Sequence, residues 1–268
     1  MDHHLQTNLE HWNELTPLHA RSAFYDLKGF RAGKSSLKPI EVRELGGVTA
    51  KSLLHLQCHF GMDTLSWARR GARVTGVDFS DRAIATARSL SQELDIAADF
   101  VCSDIYSLPT SLSGEFDIVF TSYGVLCWLP DLARWAQVVA HFLKPGGTFY
   151  IVEEHPLANI LEDDTTTGGF KIAYSYFHSP EPWPWEGEGT YADRTATVEH
   201  RATYEWTHGL SDILNALTAA GLRIEFLHEF PYLMYGKLAC MEESEDGWWR
   251  FKDRQVNLPL MFSLKAVK

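Results

Sequence analysis

The sequence predicts an α/β fold built on a seven-stranded, mostly parallel, doubly wound sheet, with helices on both faces and an antiparallel last strand. Between residues 52 and 154, five short apolar runs alternate with helical patterns. Apolar strands without polar alternation are typical of parallel sheets that are covered on both sides. Two later apolar runs, 223–230 and 259–267, have no long helical pattern between them, so we expect them to pair antiparallel.

The individual elements follow from the spacing of the apolar residues and from the residues that interrupt it. Ile84, Ala87 and Leu90 share one face of a helix, and Asp81 is placed to cap it. Gly71 ends the preceding helix. The predicted elements of the alternating part are, in chain order, strand 52–57, helix 64–70, strand 72–79, helix 82–94, strand 98–104, strand 116–123, helix 132–140 and strand 148–154, and a further helix is predicted at 210–220.

Two segments depart from this alternation. Residues 1–50 are predicted to hold an amphipathic helix at most, and residues 155–206 are rich in glycine, proline and aromatic side chains. Long irregular segments in a compact domain are often lids over a functional site. We therefore expect a lid segment at 1–50 and one domain at 51–268, with a substrate cap inserted at about 155–206.

Composition narrows the class of partner. The chain has 24 Lys and Arg against 35 Asp and Glu, a formal net charge of −11, so a polyanion such as a nucleic acid would be repelled. No run approaches the roughly 18 apolar residues of a membrane span, so we expect no membrane partner. The polar N-terminus and four scattered cysteines predict reduced thiols and a cytoplasmic location. Oligomeric state is left open.

Acidic residues stand where two of the predicted strands end. In open parallel sheets, ligands bind outside the carboxyl ends of the strands. Asp78 ends the second strand, where one carboxylate can accept both hydroxyls of a ribose, and Asp104 ends the third, where a carboxylate suits the exocyclic amine of adenine. The turn at 57–61 leads into a helix whose first N–H groups favour an anion. Together these residues predict a site for a nucleoside with an anionic tail.

Three successive segments carry a resemblance to a known family: LLHLQCHFGMDTLSWARRGARVTGVDFSDRAIATAR (53–88), FVCSDIYSLP, and FDIVFTSYGVLCWLPDLARWAQVVAHFLKPGGTFYIVEE. They resemble, in the expected order, the motifs of class I S-adenosylmethionine-dependent methyltransferases, well over 50–154 and loosely over 207–268. The N-terminal WNELTPLHARSAFYD is similar to that of a bacterial branch of this family. The resemblance implies a Rossmann-like sheet, S-adenosylmethionine as cofactor, S-adenosylhomocysteine as product, and a small-molecule acceptor.

By position, the resemblance also implies which residues contact the cofactor. They follow the strand ends: Leu56, Gln57, Cys58, His59 and Gly61 around the methionine part, Thr121 and Ser122 near the sulfur, Asp78 at the ribose, Phe79 beside the adenine, and Asp104 with Ile105 at the adenine amine and ring.

The first motif departs from the family pattern at three positions. His55 stands where the family usually has an acid, so either it replaces that acid as a neutral acceptor or it is a packed strand residue. Gln57 and His59 stand where glycine is usual, and because glycine permits positive φ, this loop is expected to take a different path. His55, Cys58 and His59 have no matching second cluster of ligands, so we predict no metal site.

Methyl transfer from a sulfonium depends mainly on aligning the acceptor and excluding water, and a general base is needed only for a protonated acceptor. His155, Tyr123 and Glu153 are the candidate catalytic residues, with Glu154 as the alternative on the same strand. Aromatic side chains of the cap would either enclose the acceptor or pack the cap onto the sheet; they are Tyr174, Tyr176, Phe177, Trp183, Trp185 and Trp206.

Two other functions stay open at this point. Asp78 follows the first turn at a distance that also suits a nicotinamide-dependent oxidoreductase, but the turn lacks G-x-G-x-x-G. The altered first motif also leaves room for a non-catalytic S-adenosylmethionine-binding protein.

Overall fold

A seven-stranded sheet forms the centre of the fold in a computed structural model, which describes residues 2–268. In chain order, the strands of the described residues are β1 (Ser52–Leu56), β2 (Arg73–Asp78), β3 (Asp99–Cys102), β4 (Phe116–Ser122), β5 (Leu143–Glu154), β6 (Leu161–Asp164), β7 (Gly169–Ile172), β8 (Trp183–Glu186), β9 (Ala202–Glu205), β10 (Arg223–Phe230), β11 (Met241–Glu243), β12 (Trp249–Phe251) and β13 (Met261–Val267).

The order of strands across the central sheet is β10-β13-β5-β4-β1-β2-β3. β1 pairs in parallel with β2 and β4, and the pairs β2–β3 and β4–β5 are also parallel. β13 is antiparallel to both β5 and β10. The predicted sheet is therefore confirmed, including its antiparallel last strand, and the carboxyl ends of β1 to β5 meet at one edge.

Helices cover both faces of this sheet. Those in the described residues are α1 (His3–Arg21), α2 (Leu27–Arg31), α3 (Pro39–Leu45), α4 (Met62–Arg69), α5 (Asp81–Glu93), α6 (Leu108–Ser111), α7 (Leu132–Phe142), α8 (Pro156–Asn159) and α9 (Leu210–Ala219). The residue that caps α5 is Ser80, whose hydroxyl accepts from Ala83 N at 3.0 Å, rather than Asp81 as we predicted.

Side-chain alternation along β1 divides the core into two layers. Leu54 packs in a buried cluster with Trp135 of α7 and Leu217 of α9, on one face of the sheet. Leu53 packs on the other face with Trp67 of α4. All five side chains are nearly inaccessible to solvent, and burying each contributes about 1.5–3 kcal/mol to folding.

The N-terminal segment holds more helix than we predicted. Instead of one amphipathic helix at most, it forms α1, of 19 residues, followed by α2 and α3. Polar side chains fasten α1: the amide of Asn8 exchanges two 2.8 Å hydrogen bonds with the backbone of Tyr204 in β9, and Asn13 donates to Asp81 of α5. Because these contacts are made by polar side chains, they produce no periodic pattern of apolar residues from which the helix could be predicted.

The segment 155–206 is also partly regular. It contains α8 and two antiparallel pairs, β6 with β7 and β8 with β9. A third pair, β11 with β12, lies at 241–251 and was not predicted. All four cysteines are unpaired. Within residues 2–268, none of the helices combines the length and the apolar character that crossing a membrane requires.

Candidate active site

A cavity of about 1590 Å³ lies at the carboxyl ends of the parallel strands. Its wall is formed by the ends of β1, β2, β4 and β5 together with side chains from three other parts of the chain. These are α1, the segment 155–206 and the loop 231–238. The two segments predicted to be lids thus both contribute to the cavity, and the loop 231–238 is an unpredicted third contributor.

The loop after β1 adopts a left-handed backbone at three alternate positions. The φ angles are 57° at Gln57, 49° at His59 and 80° at Gly61. Gln57 and His59 therefore adopt conformations that glycine reaches at lower cost. Two hydrogen bonds hold them there, since Gln57 Nε2 donates to Val125 O at 3.0 Å and His59 N donates to Asp78 Oδ2 at 2.8 Å. Positive φ is thus present at Gln57 and His59 although neither residue is a glycine.

The carboxylate of Asp78 is buried at the end of β2 and lines the cavity. Its Oδ2 accepts from His59 N at 2.8 Å and its Oδ1 accepts from Ser80 N at 2.9 Å. Burial raises the pKa of Asp78 to about 6, while these backbone donors act in the opposite direction. A carboxylate oxygen can accept about two hydrogen bonds, so each oxygen of Asp78 keeps capacity for one hydroxyl group of a ligand in the cavity.

A second carboxylate follows β3. Asp104 Oδ1 accepts from Tyr106 N and Ser107 N, both at 3.0 Å, and no donor within residues 2–268 reaches its Oδ2. Asp104, Ile105 and Phe79 all line the cavity. An acceptor oxygen between two apolar side chains can bind the amine and the ring of a planar base.

Leu56 and Thr121 are predicted cofactor contacts that the structure places outside the cavity wall. Leu56 packs in the core with Val77, and Thr121 is completely buried at the register position opposite Ile151. Both side chains are buried in the core that packs against the sheet, so neither side chain forms part of the cavity wall. Ser122, the next residue, does line it.

Glu153 supports the loop after β4. Its carboxylate accepts from the backbone N–H groups of Gly124, Val125, Leu126 and Glu154, at 2.8 Å for Val125 and 3.2 Å for Leu126. Burial raises the pKa of Glu153 to about 7, although these donors act in the opposite direction. A carboxylate occupied by four donors is suited to holding the loop rather than to taking a proton.

Tyr123 and His155, the other catalytic candidates, are also bound within the protein. The Tyr123 hydroxyl lines the cavity region but donates to Glu41 Oε2 at 2.9 Å, and its burial keeps its pKa well above the usual range. His155 is buried away from the cavity wall. Its Nδ1 accepts from Leu157 N at 3.0 Å and its Nε2 lies 3.0 Å from Glu229, so it caps α8.

Comparison with known proteins agrees with this geometry. Residues 54–151 match the family model of the methyltransferase domain. The S-adenosylmethionine-dependent methyltransferase from Mesorhizobium loti superposes with a TM-score of 0.61 at 21% identity, covering 89% of this chain and 100% of that one. Residues 54–151 are therefore similar to a methyltransferase domain, and the fold resembles that of an S-adenosylmethionine-dependent methyltransferase.

Two further proteins are similar to this chain. The ubiquinone biosynthesis O-methyltransferase of Pseudomonas aeruginosa is 30% identical over 130 residues, which are 47% of this chain. The chain spans 56% of that relative, about half of its length. A glycopeptide N-methyltransferase in complex with S-adenosylhomocysteine superposes with a TM-score of 0.54 at 14% identity, covering 85% of this chain and 87% of that one.

His55 is a buried residue of the matched segment 54–151. Its Nδ1 lies 2.8 Å from Thr64 Oγ1, and its ring meets Phe120 edge to face. Complete burial lowers the pKa of His55 to about 3, so the ring is neutral at pH 7. His55 is thus buried as a packed strand residue would be, but it also lines the cavity, so both interpretations of this position agree with the geometry. Within residues 2–268, no three His, Cys, Asp or Glu side chains are grouped so as to hold a metal ion.

A polar cluster that we did not predict lies outside the matched segment 54–151. Lys237 Nζ lies 2.6 Å from Glu154 Oε2 and 2.8 Å from Asn159 Oδ1, and the Tyr235 hydroxyl donates to Glu154 Oε1 at 2.8 Å. Glu205 of β9 is close enough for the Lys237 charge to act on its pKa, which burial raises. Because the loop 231–238 has no periodic pattern, we could not predict the place of Lys237 from its neighbours in the chain.

Aromatic side chains complete the wall on the opposite side. Trp12 of α1 meets His59 and Trp128 edge to face, and His59 Nε2 lies 3.0 Å from His19 Nδ1. Of the aromatic residues predicted in the cap, four line the cavity and two, Tyr176 and Phe177, do not. The four are Tyr174, Trp183, Trp185 and Trp206.

Proposed function

We propose that the protein transfers a methyl group from S-adenosylmethionine to a small molecule that binds in the same cavity. The observation that carries this proposal is the Asp78 carboxylate, buried at the end of β2 and facing the cavity beside a loop with positive φ. Its two oxygens match the paired hydroxyls of a ribose. The match of residues 54–151 to the family model of the methyltransferase domain supports this activity.

The residues of the cavity fit the proposed cofactor. Asp78 would accept the ribose hydroxyls, Asp104 Oδ2 would accept from the adenine amine, and Phe79 with Ile105 would contact the adenine ring. The backbone of the loop 57–61 would pass along the methionine part. When bound, S-adenosylmethionine supplies a methyl group on a positively charged sulfur, which is electrophilic without further activation.

The protein's own contribution is to position the acceptor and to keep water out. Residues 1–50 and 155–206 would act as lid and cap, since side chains from both enclose the cavity. Glu154 and Lys237 would orient polar groups of the acceptor from the far side. Since the matched relative is named for O-methylation in ubiquinone biosynthesis, hydroxylated aromatic rings are the first acceptors to test.

Isothermal titration with S-adenosylhomocysteine and with NAD⁺ separates this proposal from the oxidoreductase alternative. We expect binding of S-adenosylhomocysteine and none of NAD⁺. Asp78→Asn, which keeps the side-chain size but loses one acceptor, should weaken binding about 10- to 100-fold. Asp99→Asn is the matched control, because Asp99 is exposed at the start of β3 and lies outside the cavity wall. Binding of NAD⁺ alone, or equal affinity in the Asp78 variant, would contradict the assignment.

A second assay separates an enzyme from a binding protein. The protein is incubated with S-adenosylmethionine and a set of hydroxylated aromatic compounds and amines, and S-adenosylhomocysteine is quantified. Acceptor-dependent formation of S-adenosylhomocysteine supports catalysis. Tight cofactor binding with no turnover on a broad acceptor set would favour the non-catalytic alternative.

A further inference from the structure

A further, partly buried carboxylate lines the cavity next to the loop that follows β1. Asp63 is the second residue of α4 and belongs to the cavity wall. Its Oδ1 accepts from the Ser36 hydroxyl at 2.6 Å, and its Oδ2 accepts from the Ser122 hydroxyl at 3.2 Å. The carboxylate thus lies between the N-terminal segment and the end of β4, beside the cofactor loop.

The charge of Asp63 has no close counterpart in the protein. Within residues 2–268 its side-chain hydrogen-bond donors are two neutral hydroxyl groups, with no lysine or arginine among them. Burial raises the pKa of Asp63, and Ser36, Ser122 and the charge of Lys38 oppose that rise, Lys38 least. An ionised carboxylate with neutral donors alone is costly to bury, so a cationic ligand group would stabilise it.

The neighbouring acid, Glu41, does not compete for this role. Glu41 is a buried residue of α3, and its carboxyl group accepts from Lys38 N and from the Tyr123 hydroxyl. Burial, followed by the charge of Asp63, raises the pKa of Glu41 to about 8, so most of it is protonated at pH 7. Of this pair, Asp63 alone lines the cavity, so it is the carboxyl group placed to contact a ligand there.

Asp63 also lies beside the position where the family usually carries its acid. The Ser122 hydroxyl is 3.5 Å from His55 Nε2 and 3.2 Å from Asp63 Oδ2, so it lies between the two side chains. His55 itself is neutral and hydrogen-bonded to Thr64. The carboxyl group that is missing from the strand is thus found on the first turn of α4.

We propose that Asp63 binds the α-ammonium group of the cofactor's methionine part. This inference rests on the proposed function, because it assumes that the cavity holds an S-adenosyl ligand. Ser36 and Ser122 are positioning residues that orient the carboxylate. The ligand chemistry recognised is a primary ammonium group one short side chain away from a thioether or sulfonium.

A thermodynamic cycle with two ligands tests the proposal. Isothermal titration is done with S-adenosylhomocysteine and with its deamino analogue, which has hydrogen in place of the α-amino group. We expect the wild type to prefer S-adenosylhomocysteine about 10- to 100-fold, the range for a hydrogen bond between charged groups. In Asp63→Asn this preference should shrink to less than about threefold, while affinity for the deamino analogue stays near that of the wild type.

Two controls make the outcomes distinct. Asp104→Asn should weaken both ligands equally, and retained binding of the deamino analogue shows that Asp63→Asn is folded; Asp63→Ser serves as a second variant. An unchanged preference in Asp63→Asn, an equal loss for both ligands, or a wild type without preference would overturn the inference alone. With S-adenosylmethionine titrated as a third ligand, a loss of affinity confined to that ligand would assign the carboxylate to the sulfonium and would also overturn the inference. A wild type that binds neither ligand would overturn the proposed function as well.

Discussion

Removing the Glu153 carboxylate tests whether it supports the cavity floor or acts as a base. In Glu153→Ala, the N–H groups of Gly124, Val125 and Leu126 lose their acceptor. Val125 and Leu126 are buried, and each buried donor without a partner costs about 1–3 kcal/mol. The two buried donors alone predict a loss of about 2–6 kcal/mol in the free energy of unfolding, or about 4–24 °C in Tm.

Thermal melts followed by circular dichroism and urea unfolding measure this loss, and titration with S-adenosylhomocysteine measures its effect on the site. We expect cofactor affinity to fall together with stability, because the loop after β4 forms part of the cavity wall. Glu154→Ala is the matched control at the adjacent position, since Glu154 makes different contacts, with Lys237 and Tyr235. A Glu153→Ala protein that melts within about 2 °C of the wild type but transfers no methyl would refute the supporting role.

Three further substitutions test other parts of the account. Burial raises the pKa of Glu41 from 4.5 to about 8, so the wild type should lose stability as pH rises through that range. In urea unfolding, Glu41→Gln should remove about 4–5 kcal/mol of this pH dependence, and parallel pH curves for the two proteins would contradict the expectation. Lys237→Met leaves Glu154 buried without its cation and should cost about 3–5 kcal/mol in thermal unfolding, with recovery expected when Glu154→Gln is added. In Gly61→Ala the new Cβ would lie 2.8 Å from Phe100 at a φ of 80°, so we expect a loss of at least about 2 kcal/mol, and a neutral change in Tm would contradict the packing described.

The sheet and the strand-end acids could be predicted because their signals are local. Each parallel strand is a short apolar run, and Asp78 and Asp104 stand directly after two of them. The ends of parallel strands meet at one edge by topology alone, so acids far apart in the chain could be placed at one site.

The remainder of the site depends on contacts between distant parts of the chain. Asn8 pairs with Tyr204, which is 196 positions away, and Lys237 meets Glu154 across 83 positions. Polar contacts of this kind follow no period of 2 or 3.6, so neither α1's length nor the polar cluster left a pattern in the sequence. The hydrogen bonds of Glu153 could not be predicted for a related reason, since its donors are backbone N–H groups of a loop, which leave no pattern in the spacing of side chains.

The most direct test of the central claim is a crystal structure of the protein grown with S-adenosylhomocysteine. The account predicts the ribose hydroxyls within hydrogen-bond distance of the Asp78 carboxylate and the adenine amine next to Asp104. An empty cavity at saturating ligand, or a ligand bound with both carboxylates facing elsewhere, would contradict it.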